Sequence, residues 1–293
     1  MEENLYWIWL SKIKGLGSKK IQILLNEYKT PKKIWKKDKE ELMQNKNIGE
    51  KLAEEILEPK YRVGLEQEQQ KMKEKNINII TIKDKDYPKK LKQIYDPPMV
   101  LYYKGNKEIL GEFSIGIIGC RECTKYGEET AKKIAYSLTK KQINIVSGLA
   151  RGIDTFSHIG CLRAGGKTIA IVGNGLDNIY PYENQKVVSE ILNKKGIVLS
   201  EYPIGTKPNP NNFPARNRII SALSDGIVVV EAKQKSGTLI TVDFALEQGK
   251  NVYVVPGNIN SENSKGTNEL IKQGAKLITC LDDILEDYNM PNK

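Results

Sequence analysis

Ser114-Ile115-Gly116-Ile117-Ile118-Gly119-Cys120-Arg121 decides the fold class. A short, continuous apolar run closed by glycine reads as a strand buried on both faces, and a helical pattern follows it near Gly127 to Lys140. The same unit then recurs. Ile143-Asn144-Ile145-Val146 is the next strand and ends in Ser147-Gly148-Leu149-Ala150-Arg151-Gly152-Ile153-Asp154. Further strands are expected at 168–172, 197–199, 227–230 and 252–255, with helical patterns between most of them. Val/Ile runs joined by helices predict an α/β domain: a doubly wound, mostly parallel sheet covered on both faces. In such sheets ligands bind beyond the C-terminal strand ends.

Four of those ends carry small or charged residues: Gly119-Cys120-Arg121, Ser147-Gly148, Gly173-Asn174-Gly175 and Ser236-Gly237-Thr238. Small residues let backbone amides approach an oxyanion, so four such turns on one edge, beside Arg121, Arg216 and Arg218, predict a phosphate-binding edge. None of them matches a dinucleotide or P-loop fingerprint, and Gly165-Gly166-Lys167-Thr168 precedes a strand instead of joining a strand to a helix. No nucleotide cofactor is expected. The stretch Asn212-Phe213-Pro214-Ala215-Arg216-Asn217-Arg218-Ile219-Ile220-Ser221-Ala222-Leu223-Ser224 adds an aromatic and two arginines at the start of a predicted helix. A helix N-terminus suits anions, and Phe213 just before it has the character to stack on a base while the arginines hold phosphates. The competing reading is a core phenylalanine with two solvated arginines.

Toward the N-terminus, residues 1–70 read as helical. Ile13-Lys14-Gly15-Leu16-Gly17-Ser18-Lys19-Lys20-Ile21 has the form helix, glycine turn, helix, and Asn47-Ile48-Gly49-Glu50-Lys51-Leu52-Ala53 is a weaker second copy. This looks like a helix-hairpin-helix (SAM-like) unit; a plain helical hairpin is the alternative, because Glu50 makes the second copy a poor phosphate site. Trp7, Trp9 and Trp35 are expected as core anchors. Residues 71–112 read as a connector packed on the main domain, with a strand around Ile77 to Ile82 and turns at Asp86-Tyr87-Pro88 and Asp96-Pro97-Pro98. The main domain is expected over 113–293.

The 293 residues carry a formal net charge of +10. That favours an anionic partner, although a lysine-rich composition also arises without function. No apolar run is long enough to span a bilayer and the start lacks a basic leader, so a cytoplasmic protein without membrane association is expected. Cys120 and Cys123 form a C-x-x-C, but neither Cys161, Cys280 nor the single histidine, His158, stands near them in sequence. Reduced thiols and no metal are the expectation.

Taken together, these residues resemble the DNA-processing protein A family, also called Smf. The resemblance is carried by residues 147–154, by Gly173-Asn174-Gly175-Leu176-Asp177 with Tyr180-Pro181, by 213–224, by Ser236 through Thr241, and by Val255-Pro256-Gly257; Asp86-Tyr87-Pro88 and Asp96-Pro97-Pro98 match as well. It implies a Rossmann-like domain that binds single-stranded DNA without strong sequence preference and dimerises through that domain. It further implies help in loading the recombinase RecA onto incoming DNA during natural transformation, against competing single-strand-binding protein. Carried onto this chain, Arg121 holds phosphate and Phe213 stacks on or wedges beside a base. Arg216, Asn217 and Arg218 divide between phosphate contact and holding the loop. Ser147, Gly148, Asn174 and Gly175 offer donors, Lys207 adds a phosphate contact, and Ser236, Gly237 and Thr238 complete the edge. Asp154 and Asp177, being acidic, are expected to cap helices or brace loops without touching DNA, and His158 to pack in the core.

Two features depart from the family. Cys120 stands where Gly-Ser-Arg is usual, which replaces a hydroxyl by a weaker donor, and the C-terminal winged-helix domain of many family members is not expected after Asp282-Asp283-Ile284-Leu285. The rival reading is a nucleotide-binding or nucleotide-hydrolysing enzyme of the lysine-decarboxylase-like phosphoribohydrolase type, and a third is a nucleotide-sensing module with a small ligand at the sheet edge. Thr241 occupies the position of that family's acidic residue, and threonine cannot act as the base; Glu231 and Asp243 are the nearby carboxylates.

Overall fold

The computed structural model describes residues 2–288. Met1 and residues 289–293, included above in the first and last segments, lie outside the described residues. The chain divides into two compact units, one of residues up to 104 with 174–178 and 200–207, the other of 105–173, 179–199 and 208 onward.

The first unit contains α1 (Glu3–Lys12), α2 (Ser18–Tyr28), α3 (Pro31–Trp35), α4 (Lys39–Met43), α5 (Glu50–Leu57) and α6 (Leu65–Glu74), then β1 (Asn78–Thr81), α7 (Lys89–Lys92) and β2 (Val100–Gly105). Gly15 turns the chain between α1 and α2 at φ +78°, a conformation that favours glycine. Gly17 and Gly49 stand at the N-caps of α2 and α5. Trp7 and Trp9 are buried, and Trp35 packs edge-on against Tyr6 and Trp9, so the tryptophans are core anchors. Glu50 is paired with Lys39 at 2.7 Å.

The unit boundary differs from the expected connector at 71–112. β1 and β2 form an antiparallel pair from Asn78↔Tyr103 to Thr81↔Val100. Ile80, Leu101 and Tyr102 are buried, and the Tyr102 hydroxyl meets Ser11 of α1 at 2.8 Å. Residues 71–104 therefore share the core of the helical segment.

The second unit contains β3 (Ser114–Ile118), α8 (Lys125–Lys140), β4 (Asn144–Ser147), α9 (Ile153–Arg163), β5 (Thr168–Val172), α10 (Gln185–Asn193), β6 (Ile197–Ser200), α11 (Asn212–Leu223), β7 (Gly226–Val229), α12 (Gly237–Glu247), β8 (Asn251–Val254), α13 (Lys265–Lys272), β9 (Lys276–Leu277) and α14 (Asp282–Leu285). Its strands lie in the order β6-β5-β4-β3-β7-β8-β9. The pairs β5–β4, β4–β3, β3–β7, β7–β8 and β8–β9 are parallel. Strand β9 went unforeseen because two residues are too few to show a period. From β3 the chain builds first toward β4 and β5 and later returns to add β7 on the other side. The order reverses between β3 and β7, the point where an open α/β sheet leaves a crevice. Ile115, Ile117, Val228 and Val230 pack with Ala131 and Ala135 of α8 in the core beneath it. Among the described residues no helix is long and apolar enough to cross a membrane.

Candidate nucleic-acid interface

A groove of about 730 Å³ opens at this switch point, entirely within the second unit. Arg121 reaches it from the loop after β3; Lys233, Lys235, Ser236, Gly237 and Thr238 reach it from the loop after β7; Phe213, Arg216 and Asn217 come from α11. Arg121, Lys233 and Lys235 are exposed. Lys233 pairs with Glu122 at 3.3 Å, whereas among the described residues Arg121 has no carboxylate partner. The Arg121 guanidinium carbon lies 5.5 Å from the centroid of the Phe213 ring. A cation with hydration to lose and an aromatic face with room beside it are the two groups that a phosphate and a base require.

Helix α11 begins earlier than its apolar periodicity predicts. Phe213 lies inside its first turn, not before it, and Arg216 is a full turn in. Pro214 fits there because a first-turn amide has no helical acceptor to lose. Asn212 ties the turn down by donating from Nδ2 to the Gly173 carbonyl at 3.0 Å. A Cβ added to Gly173 would come within 3.0 Å of Phe213 Cδ1, so the ring rests on bare backbone.

Arg216 is 4% exposed. Its Nη1 donates to the carbonyls of Gly148 (2.6 Å) and Ile171, and its Nε to Asn217 Oδ1. From the other side Asp154 Oδ2 accepts from the amides of Gly148 (3.1 Å) and Ala150 (3.4 Å). A Cβ on Gly148 would lie 2.7 Å from both Arg216 Nη2 and Asp154 Oδ2, which explains the glycine. Burial pushes the Asp154 carboxyl up to about 6 despite the opposing pull of Arg216 and the two amides. Asp154 is thus a loop brace, as is Asp177 in the first unit, which accepts from the Gly205 amide at 2.9 Å. His158 is fully buried with Nδ1 2.7 Å from Thr168 Oγ1, and burial pushes it down to about 3.

These two groups act on stability in opposite directions. Between about pH 4 and 6 the native state retains the Asp154 proton that the unfolded chain has released, so this group's contribution falls as pH rises. Between about pH 3 and 6.5 the unfolded chain holds the His158 proton that the native state excludes, so that contribution rises with pH. Each slope is at most about 1.4 kcal/mol per pH unit, and over about pH 4–6 they offset one another. Urea midpoints should rise with pH in Asp154→Asn and fall in His158→Gln; slopes of the same sign in both variants would contradict the assignment.

Several expected contacts turn inward. The Ser147 hydroxyl is buried and donates to the Ile117 carbonyl at 2.6 Å, and both backbone groups of Gly148 are engaged by Asp154 and Arg216. Arg218 is 5% exposed, donates to the Ala215 carbonyl at 2.9 Å and does not line the groove. In the first unit, Asn174 donates to the carbonyls of Gly175 and Asn178, and the Gly175 amide donates to Thr206. These contacts hold loops, and a donor so engaged is not open to a phosphate. Lys207 is exposed and belongs to the first unit. Ser236 lines the groove but its hydroxyl also caps α12, accepting from the Thr238 amide at 3.1 Å. Sequence reasoning missed Tyr180, Lys233 and Lys235. The lysines follow a predicted strand end and were legible by the criterion applied to Arg121; Tyr180 stood out only as part of the Tyr180-Pro181 motif, which gave it no place in the groove.

Other candidates lie outside the groove's chemistry. Glu231 is buried, with Oε1 and Oε2 accepting from the Thr124 hydroxyl (2.6 Å) and amide (2.9 Å) at the start of α8. Asp243 is exposed and does not line the groove, while Thr241 does. Cys120 and Cys123 are free, with burial pushing both thiols up, and no cluster of three metal-ligating residues occurs among the described residues.

Against this geometry, the model of the DNA recombination-mediator protein A family matches residues 78–289. The chain belongs to that family. The SAM-like helix-hairpin-helix tandem model matches residues 10–58, which decides between the two readings of the N-terminal glycine turns. Protein Smf of Synechocystis is 38% identical over 287 residues, covering 97% of this chain and 72% of the relative. Among solved family members, DNA processing protein A from Streptococcus pneumoniae superposes with a TM-score of 0.79 at 35% identity, covering 98% of this chain and 99% of that one. The family member from Helicobacter pylori, known for a single-stranded DNA binding mode, gives 0.65 at 34% identity over 72% of this chain and 95% of that one.

Proposed function

We propose that this chain binds single-stranded DNA across the groove at the β3/β7 switch point, without catalysing a reaction on it. The observation that carries the reading is the exposed Arg121 over the half-buried ring of Phe213, with Lys233 and Lys235 lining the same groove. Arginine and lysine neutralise phosphates and the ring takes a base face, a combination tolerant of sequence. The Helicobacter pylori relative's single-stranded DNA binding mode supports the same ligand. The absence of a carboxylate at Thr241, and the engagement of Glu231 with Thr124, support a binder over a glycosidic hydrolase.

In the cell this activity would serve DNA processing in natural transformation: protecting incoming strands and helping to load RecA against single-strand-binding protein, as a cytoplasmic homodimer. These roles rest on family membership. Sedimentation showing only monomer at micromolar concentration would remove the dimer, and unchanged RecA filament assembly on coated strands would remove the loading role.

The phosphate assignment has a direct test. Arg121→Ala should weaken binding several-fold and reduce the slope of log K against log salt by about 0.7, the value for one phosphate contact on a single strand. An unchanged slope would take Arg121 out of the phosphate set.

A further inference from the structure

A second, smaller cavity of about 30 Å³ adjoins the Phe213 ring on the side of the loop after β4. Arg121, Arg151, Tyr180 and Phe213 all line it. Tyr180 is 40% exposed, and its ring centroid lies 5.7 Å from that of Phe213 with 33° between the planes. A stacked base occupies about 3.4 Å on each of its faces. Rings 5.7 Å apart therefore cannot admit a base between them and instead present adjacent surfaces. Beyond Tyr180, Arg151 is exposed, and its Nε is paired with Glu183, which is equally open to water. Such a pair holds a cation in place at little cost and gives it up readily to a stronger anion.

We infer that Tyr180 and Arg151 form a second nucleotide subsite, in which the Tyr180 ring takes the base next to the one on Phe213 and Arg151 exchanges Glu183 for a phosphate. This rests on the reading of the groove as a single-strand site and extends it beyond the residues that define it. The strand then runs from the Lys233–Lys235 side, past Arg121 and Phe213, to Arg151. The two cavities share Arg121 and Phe213 as their common wall.

The test uses the full chain and a short oligo-dT. Tyr180→Ala should weaken binding at least about five-fold, while Tyr180→Phe, which keeps the ring and loses only the hydroxyl, should stay within about two-fold of the parent. Arg151→Gln should weaken binding and lower the salt slope, whereas Glu183→Gln, which frees Arg151, should tighten it. A purely structural role for Tyr180 is separated by Tyr180→Trp, whose added fluorescence should be quenched by oligo-dT beyond any change in the parent's three tryptophans. Parent-like affinity in Tyr180→Ala alongside a loss in Phe213→Ala would overturn the subsite and leave the groove intact. Parent-like affinity in both would overturn the groove itself.

Discussion

Arg216→Ala is expected to destabilise the protein by about 3–5 kcal/mol and to abolish single-strand binding with it. The side chain is buried, and its removal would strip a donor from the carbonyls of Gly148 and Ile171 and leave the Asp154 carboxylate without its cation. Breaking one member of a buried charged pair costs far more than the pair contributes against a well-packed apolar replacement, because the remaining charge stays desolvated. Arg216→Lys should recover only part of the loss, since a single ammonium nitrogen cannot meet the two carbonyls and also Asn217 Oδ1, which the guanidinium reaches with Nη1 and Nε. The double variant Arg216→Ala/Asp154→Ala should be less destabilised than the sum of the single changes, as expected for two groups sharing one network. Denaturant midpoints at constant m-value measure all of this, and a cost within about 0.5 kcal/mol would place Arg216 among ordinary surface residues.

Phe213→Ala is expected to weaken single-strand binding by about 1–3 kcal/mol, roughly five- to 150-fold, through loss of base stacking. The change should leave the salt slope nearly intact, because no charge is removed. Phe213→Trp should bind at least as well as the parent. The ring also rests on Gly173 and lies beside Arg121, so a melting temperature is needed beside the affinity. A fall in affinity matched by a fall in melting temperature would mean that Phe213 holds the loop and does not meet a base.

The contrast between the two neighbours on α11 shows what sequence can and cannot convey. The strand pattern was legible because buried parallel strands are written as continuous Val/Ile runs: Ile115–Ile118, Thr168–Val172 and Val252–Val255 match observed strands to within a residue. The crevice followed from that pattern, as did the concentration of small residues at the strand ends. The division of labour among them did not. Arg121 and Arg216 are the same residue type in similarly glycine-rich company, yet one is exposed and the other is 4% exposed between two strand-end carbonyls. Only the path of α11, which starts at Asn212 because Pro214 tolerates the first turn, turns Arg216 inward. Ser147 and Asn174 donate inward for the related reason that a polar side chain at a strand end has backbone acceptors within reach as well as solvent. Tyr180 was legible as part of a motif but not as a neighbour of Phe213, because a loop carries no periodicity by which an exposed aromatic could be placed.

The most direct test of the groove is a salt titration of binding to matched single-stranded and double-stranded oligonucleotides, with Arg121→Ala and Phe213→Ala measured in parallel. A salt-sensitive preference for single strands is predicted, with a reduced slope in the arginine variant and a weakened affinity at parental slope in the phenylalanine variant. Equal affinity for both forms of DNA, or parental behaviour in both folded variants, would contradict it.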